Sequence, residues 1–113
     1  MKILTYEEFT KSPNGTIFSF WDGVEGTGLH VFHGAIEGHS RDLPRHIDFF
    51  YSTLTPAQFF GVDGTPSGAV ICEGMGRDGM FDYEQMFAVY EVEDLILVRD
   101  QIVNAIEIAR RED

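Results

Sequence analysis

Val92-Glu93-Asp94-Leu95-Ile96-Leu97-Val98-Arg99-Asp100-Gln101-Ile102-Val103-Asn104-Ala105-Ile106-Glu107-Ile108-Ala109-Arg110-Arg111 contains neither Gly nor Pro. Leu95, Val98, Ile102, Ala105, Ile106 and Ala109 recur at helical spacing, so the segment predicts one long amphipathic helix. Glu93 and Asp94 near its start and Arg110 and Arg111 near its end match the helix dipole. Leu97, Val103 and Ile108 fall off the main apolar stripe. Either the helix is covered on more than one side, or its extra apolar strip meets a second copy of the chain.

Everything before this helix reads as short strands and turns. Thr16 to Trp21 presents Phe18 and Phe20 on one face. Asp22-Gly23 and Gly26-Thr27-Gly28 connect it to a second strand, Leu29 to Ile36, as a hairpin. Ile47 to Leu54, Gly68 to Glu73 and Gln85 to Glu91 follow as strands three to five. Thr5-Tyr6-Glu7-Glu8 is a capping box opening a short helix from Tyr6 to Lys11, with Phe9 on the core. Thr55-Pro56-Ala57-Gln58 is a second helix start. Consecutive aromatics on a strand point to opposite faces, so Phe49 and Phe50 divide between core and exterior. Phe59-Phe60 is a second such pair. The expected fold is α+β: a bent antiparallel sheet or half-open small barrel of about five strands, with the C-terminal helix packed across it.

The chain has 113 residues, of which 43% are hydrophobic and 13% aromatic, enough for one domain with one real core. Its formal net charge is -11. Such a field repels nucleic-acid phosphates, and neither Arg41 with Arg45 nor Arg110 with Arg111 forms a basic stripe, so direct nucleic-acid binding is not expected. The acidity serves solubility, or it steers the chain to a basic surface on another macromolecule. Between Glu73 and Asp100 the acids are concentrated. Asp78, Asp82, Glu84, Glu91, Glu93 and Asp94 are therefore the candidate partner-binding residues.

No run reaches the length of a membrane span, and the N-terminus turns acidic too early for a signal peptide. Cys72 stands alone among apolar neighbours, which excludes an intrachain disulfide and suits a small core residue. A cytoplasmic protein is expected.

Gly74-Met75-Gly76-Arg77-Asp78-Gly79 matches G-x-G-x-x-G. A dinucleotide site needs a helix after those glycines, and Met80 to Tyr90 reads as loop then strand in an acidic stretch. The segment is expected to be a surface loop, with no cofactor. His30 and His33, three apart on a strand, point to opposite faces. His39 and His46 could meet His33 or Asp48 only through a loop, and no metal-ligand spacing supports a site. Ser19, Ser40, Ser52 and Ser67 lack a nucleophile-elbow frame. An enzyme is not expected.

Tyr6-Glu7-Glu8-Phe9, Pro13-Asn14-Gly15-Thr16-Ile17-Phe18, Asp48-Phe49-Phe50-Tyr51 and Gln85-Met86-Phe87-Ala88-Val89-Tyr90 together resemble small proteins of unassigned activity encoded by bacteriophages and prophages. The resemblance implies context and carries over no functional residue. Small acidic phage proteins are often inhibitors of host systems, including anti-CRISPR proteins, some of which imitate DNA. The expected function is non-catalytic binding of a protein with a basic surface. One alternative is a small-molecule module using the aromatic sheet face and the loop from Gly74 to Gly79. A second is a homo-oligomeric structural component, paired through the C-terminal helix.

Overall fold

The structure is a computed structural model that describes residues 1–54 and 75–111, together with the backbone of 61–62 and 65–66. The expected helix start at Thr55, the pair Phe59-Phe60, the strand from Gly68 to Glu73 and Cys72 lie outside the described residues.

The elements run β1 (Lys2–Leu4), α1 (Tyr6–Phe9), β2 (Ile17–Trp21), β3 (Gly26–Glu37), β4 (His46–Thr53), β5 (Gly61–Val62), β6 (Thr65–Pro66), β7 (Gly76–Arg77), β8 (Met86–Val89) and α2 (Val92–Arg111). Six strands form one antiparallel sheet in the order β1-β8-β2-β3-β4-β7; β5 and β6 pair separately. The fold is α+β, and the sheet is not closed. Its two edge strands are the ones the sequence reading lacked. β1 is too short to show periodicity, and β7 falls inside the glycine-rich loop.

Alternation decides which side chains form the core. Phe18 faces His30 across the β2–β3 pair and Phe20 faces Phe87 across the β2–β8 pair. Phe18, Phe32, Phe49 and Phe87 are fully buried on this face, and Phe50, the neighbour of Phe49, is only half-buried. The capping box forms as expected: Thr5 accepts from the Glu8 amide at 3.2 Å and Glu8 accepts from the Thr5 amide at 3.0 Å. The single turn it starts drives Phe9 into the centre of the face. Phe9 stacks on Phe87 with ring centroids 3.9 Å apart and an interplanar angle of 11°. It also meets Phe18, Phe32 and Phe49 at tilted or edge-on angles. Offset and edge-on pairs of this kind add about 0.5–1.5 kcal/mol each beyond the area they bury.

The sheet departs from regular pairing along β3. The β2–β3 register shifts between Phe18 and Phe20, and the β3–β4 register shifts between Phe32 and Ala35. Gly28 has φ +77°, and a Cβ there would lie 2.1 Å from His30 Nε2. A bulged strand bends and twists more strongly than a regular one.

The helix α2 has the bounds read from the sequence but not the expected position. None of its residues is buried, and Leu97, Ile102, Val103 and Ile108 are all about half exposed. Its expected packing across the sheet is not found, because α1 and Tyr83 already cover the core beside Phe49 and Phe87. The radius of gyration is 17.0 Å, against about 13 Å for a compact chain of this length. The helix therefore projects from the sheet. Its root is fixed at the β1 edge, where the Met1 ammonium lies 2.8 Å from Asp94 and 3.4 Å from Glu91.

Candidate binding site

The loop between β7 and β8 stands beside the aromatic face and is held there from β4. Asp48, only 1% exposed, accepts from the Phe49 amide, from the Gly79 amide and from Arg77 Nε. Arg77 Nη2 lies 2.8 Å from the same carboxylate. A buried carboxylate is tolerated only when it is paired and hydrogen-bonded, and here both conditions are met. Tyr83 donates to the Ile47 carbonyl at 3.1 Å and anchors the far end of the loop to the same strand. Gly79 and Phe81 have φ of +65° and +53°. Positive φ at a phenylalanine is rare, and it turns the chain sharply between Asp78 and Asp82.

Among the described residues, a cavity of about 300 Å³ is lined by Phe20, Tyr51, Asp78, Met80, Asp82 and Gln85. Its floor is aromatic. Phe20 and Tyr51 are 5.7 Å apart, edge to face, and His30 packs against both rings. Two carboxylates come from the loop. Burial pushes the Asp78 carboxyl above its ordinary range, with the nearby negative charges of Asp48 and Asp82 adding to the effect and the Met80 amide opposing it. Gln85 donates to the Trp21 carbonyl at 3.0 Å and to the Met86 carbonyl at 2.8 Å, so its amide is tied to the backbone.

The six acidic candidates do not form a single patch. Asp78 and Asp82 line the cavity, and Asp82 also joins Glu84, Trp21 and Asp22 along an adjoining groove. Glu91 and Glu93 line a different groove with Lys2, Tyr90 and Leu95. Asp94 is engaged by the Met1 ammonium, which with the Glu91 amide holds its carboxyl below its ordinary range. The strand β8 separates the two groups by about 13 Å. Tyr51, Met80 and Gln85 were not candidates in the sequence, and Phe20 and Arg77 entered only through the alternative built on the aromatic sheet face and the loop from Gly74 to Gly79. The alternation of Phe18 and Phe20 was the one available signal, and it identified the face without saying where that face stays open.

His30 and His33 serve the sheet. His30 Nδ1 lies 3.0 Å from Thr53 Oγ1 and His33 Nε2 lies 2.7 Å from Ser52 Oγ. Among the described residues no group of three or more His, Cys, Asp and Glu is placed to hold a metal ion. Gly76 and Arg77 of the glycine-rich loop are paired as β7 with Tyr51 and Phe50, and the next element is the strand β8 and not a helix. No helix of the described residues is long and apolar enough to cross a membrane.

No protein-family model, no curated protein and no solved structure matches this chain.

Proposed function

We propose that this chain is a non-catalytic binding protein whose cavity receives a cationic side chain, Lys or Arg, from the basic surface of a partner protein. The observation that carries this reading is the pairing of Asp78 and Asp82 with the rings of Phe20 and Tyr51 around one cavity. Aromatic faces attract organic cations, and carboxylates beside them add charge in a partly desolvated setting. The net charge of -11 supplies long-range steering toward such a partner. A cation entering the cavity would favour ionised Asp78 and so offset the burial that raises its pKa. The phage-type context and an inhibitory action on a host system rest on the sequence resemblance alone.

The test is a nuclear magnetic resonance titration with short Lys- and Arg-containing peptides at low and high salt. Shifts should centre on Phe20, Tyr51 and Asp78 to Gln85, and should fade as salt screens the pair. They should vanish in the Asp78→Asn/Asp82→Asn variant. Shifts that persist unchanged in that variant would overturn the assignment.

The cavity volume supports a second reading, a small organic amine as the ligand. A thermal-shift screen separates the two, since a free amine that binds only the folded state raises the melting temperature without any peptide.

A further inference from the structure

The polar side chains around the cavity are nearly all acceptors, and Gln85 is the one whose orientation the backbone dictates. Its Nε2 donates to the Trp21 carbonyl at 3.0 Å and to the Met86 carbonyl at 2.8 Å. A carbonyl only accepts, so these contacts fix which end of the amide is nitrogen. Both N–H groups are thereby spent on backbone, and the polar atom that Gln85 leaves to the cavity is the acceptor Oε1. The Gln85 backbone N–H donates to the Asp82 carbonyl at 3.3 Å, a turn that keeps the two residues together. The carboxylates are likewise held by backbone and still have acceptor capacity to spare. Asp82 Oδ1 takes the Glu84 amide at 3.1 Å, and the Met80 amide donates to Asp78. Arg77, next to Asp78 in sequence, is turned to Asp48 through Nε and Nη2. Among the described lining side chains, with the carboxylates ionised, the Tyr51 hydroxyl is the one remaining donor.

Such a wall discriminates between the basic side chains. The carboxylates attract any cation, whereas neutral Oε1 adds no charge and rewards only a further N–H placed to meet it. An ammonium is a compact, strongly hydrated point charge whose three donors leave from a single atom. A guanidinium is more weakly hydrated and spreads five N–H donors over a planar fork. It can meet Asp78, Asp82 and Gln85 from separate nitrogens, and its plane can stack on the ring of Phe20 or Tyr51.

We infer that Gln85 is the specificity-determining residue of the cavity, its Oε1 selecting Arg over Lys; this rests on the reading of the cavity as a cation site. Capped Gly-Arg-Gly and Gly-Lys-Gly peptides, titrated by nuclear magnetic resonance at one ionic strength, should differ by about 3–10-fold in favour of Arg, the worth of one further hydrogen bond. The same peptide carrying asymmetric dimethylarginine keeps the charge and the plane but loses donors, and should fall to the Lys level with the wild-type protein. Gln85→Met should bring Arg to the Lys level and leave Lys unchanged. Gln85→Glu, which puts an acceptor back, should retain the preference. Both variants lose the contacts to Trp21 and Met86, so comparing them isolates the acceptor. Equal affinity for Arg and Lys, or tighter binding of Lys, would overturn the inference and leave the cation site standing. Dimethylarginine bound as tightly as Arg would also overturn it, since stacking alone would then explain the preference. So would a preference that survives Gln85→Met, or one that both variants lose. Failure of both peptides to bind the wild-type protein would overturn the cation site itself, and the inference with it.

Discussion

Arg77 closes on Asp48 at 2.8 Å, and that pair carries the loop that makes the cavity. Asp48 comes from the middle of β4, while Arg77 lies on the two-residue edge strand β7. The same carboxylate also takes the Gly79 amide at 3.0 Å. One buried acid thus positions the chain on both sides of Asp78.

Removing either partner should loosen the loop and the site together. Arg77→Ala leaves the Asp48 carboxylate without its cation, but Arg77 is half exposed, so water compensates in part. A loss of about 1–3 kcal/mol is expected in urea unfolding. Asp48→Asn in combination with Arg77→Ala should cost less than the two single changes added, because the contact is shared. Hydrogen exchange at the Gly79 amide should accelerate in both single variants.

Asp78 should make the folded state less stable as pH rises. Its carboxyl titrates above its ordinary value in the fold, so the folded state binds the proton more tightly than the unfolded chain. Stability from this group is full below about pH 4, the unfolded value, and is lost as pH rises through the folded value. Asp78→Asn should therefore unfold at higher urea than the wild type at neutral pH. The difference should shrink on acidification and stay within a few tenths of a kcal/mol, because the group is only half-buried. A variant less stable than the wild type at neutral pH would contradict this.

Glu8 should behave in the opposite sense. The Thr5 amide and hydroxyl hold its carboxyl below the usual range, so its contribution is present above about pH 4 and is lost as pH falls through the lowered value. Thr5→Ala should return the Glu8 titration, read from its side-chain carbon shift, toward the ordinary range. Loss of the cap should cost about 1 kcal/mol.

Phe9→Ala should be the most damaging single truncation among these. The ring is fully buried and contacts four other phenylalanines from a helix of one turn. A loss of about 3–5 kcal/mol is expected, enough to unfold a marginal domain at ambient temperature. Calorimetry would show it as a lowered or absent transition.

Gly28→Ala should cost about 1–3 kcal/mol, because it combines positive φ with a Cβ directed onto the buried His30 ring. If Gly28→Ala proves neutral in thermal unfolding, the bulge is not needed to shape the aromatic face.

Much of the local structure was legible in the sequence. The capping box at Thr5 and the division of Phe49 from Phe50 depend on a few neighbouring residues and on strand periodicity, and both stand in the fold. The bounds of α2 were equally legible, since a run without Gly or Pro between acidic and basic ends is a local signal. The edge strands were not, because β1 and β7 exist only through their partners β8 and β4. The cavity was not legible either. Phe20, Tyr51, Asp78 and Gln85 converge from β2, β4 and the β7–β8 region, and no spacing along the chain encodes that meeting.

Composition and periodicity are properties of neighbouring residues, and they were enough to read an acidic chain with an aromatic sheet face and a long amphipathic C-terminal helix. Long-range packing was needed to divide the acidic run from Asp78 to Asp94 into two separate groups. It alone placed α2 as a projection instead of a cover for the sheet. The physical reason is the same for both. Strand β8 sets the acids of the preceding loop and those of the following helix at its opposite ends, and α1 has already filled the space beside Phe87.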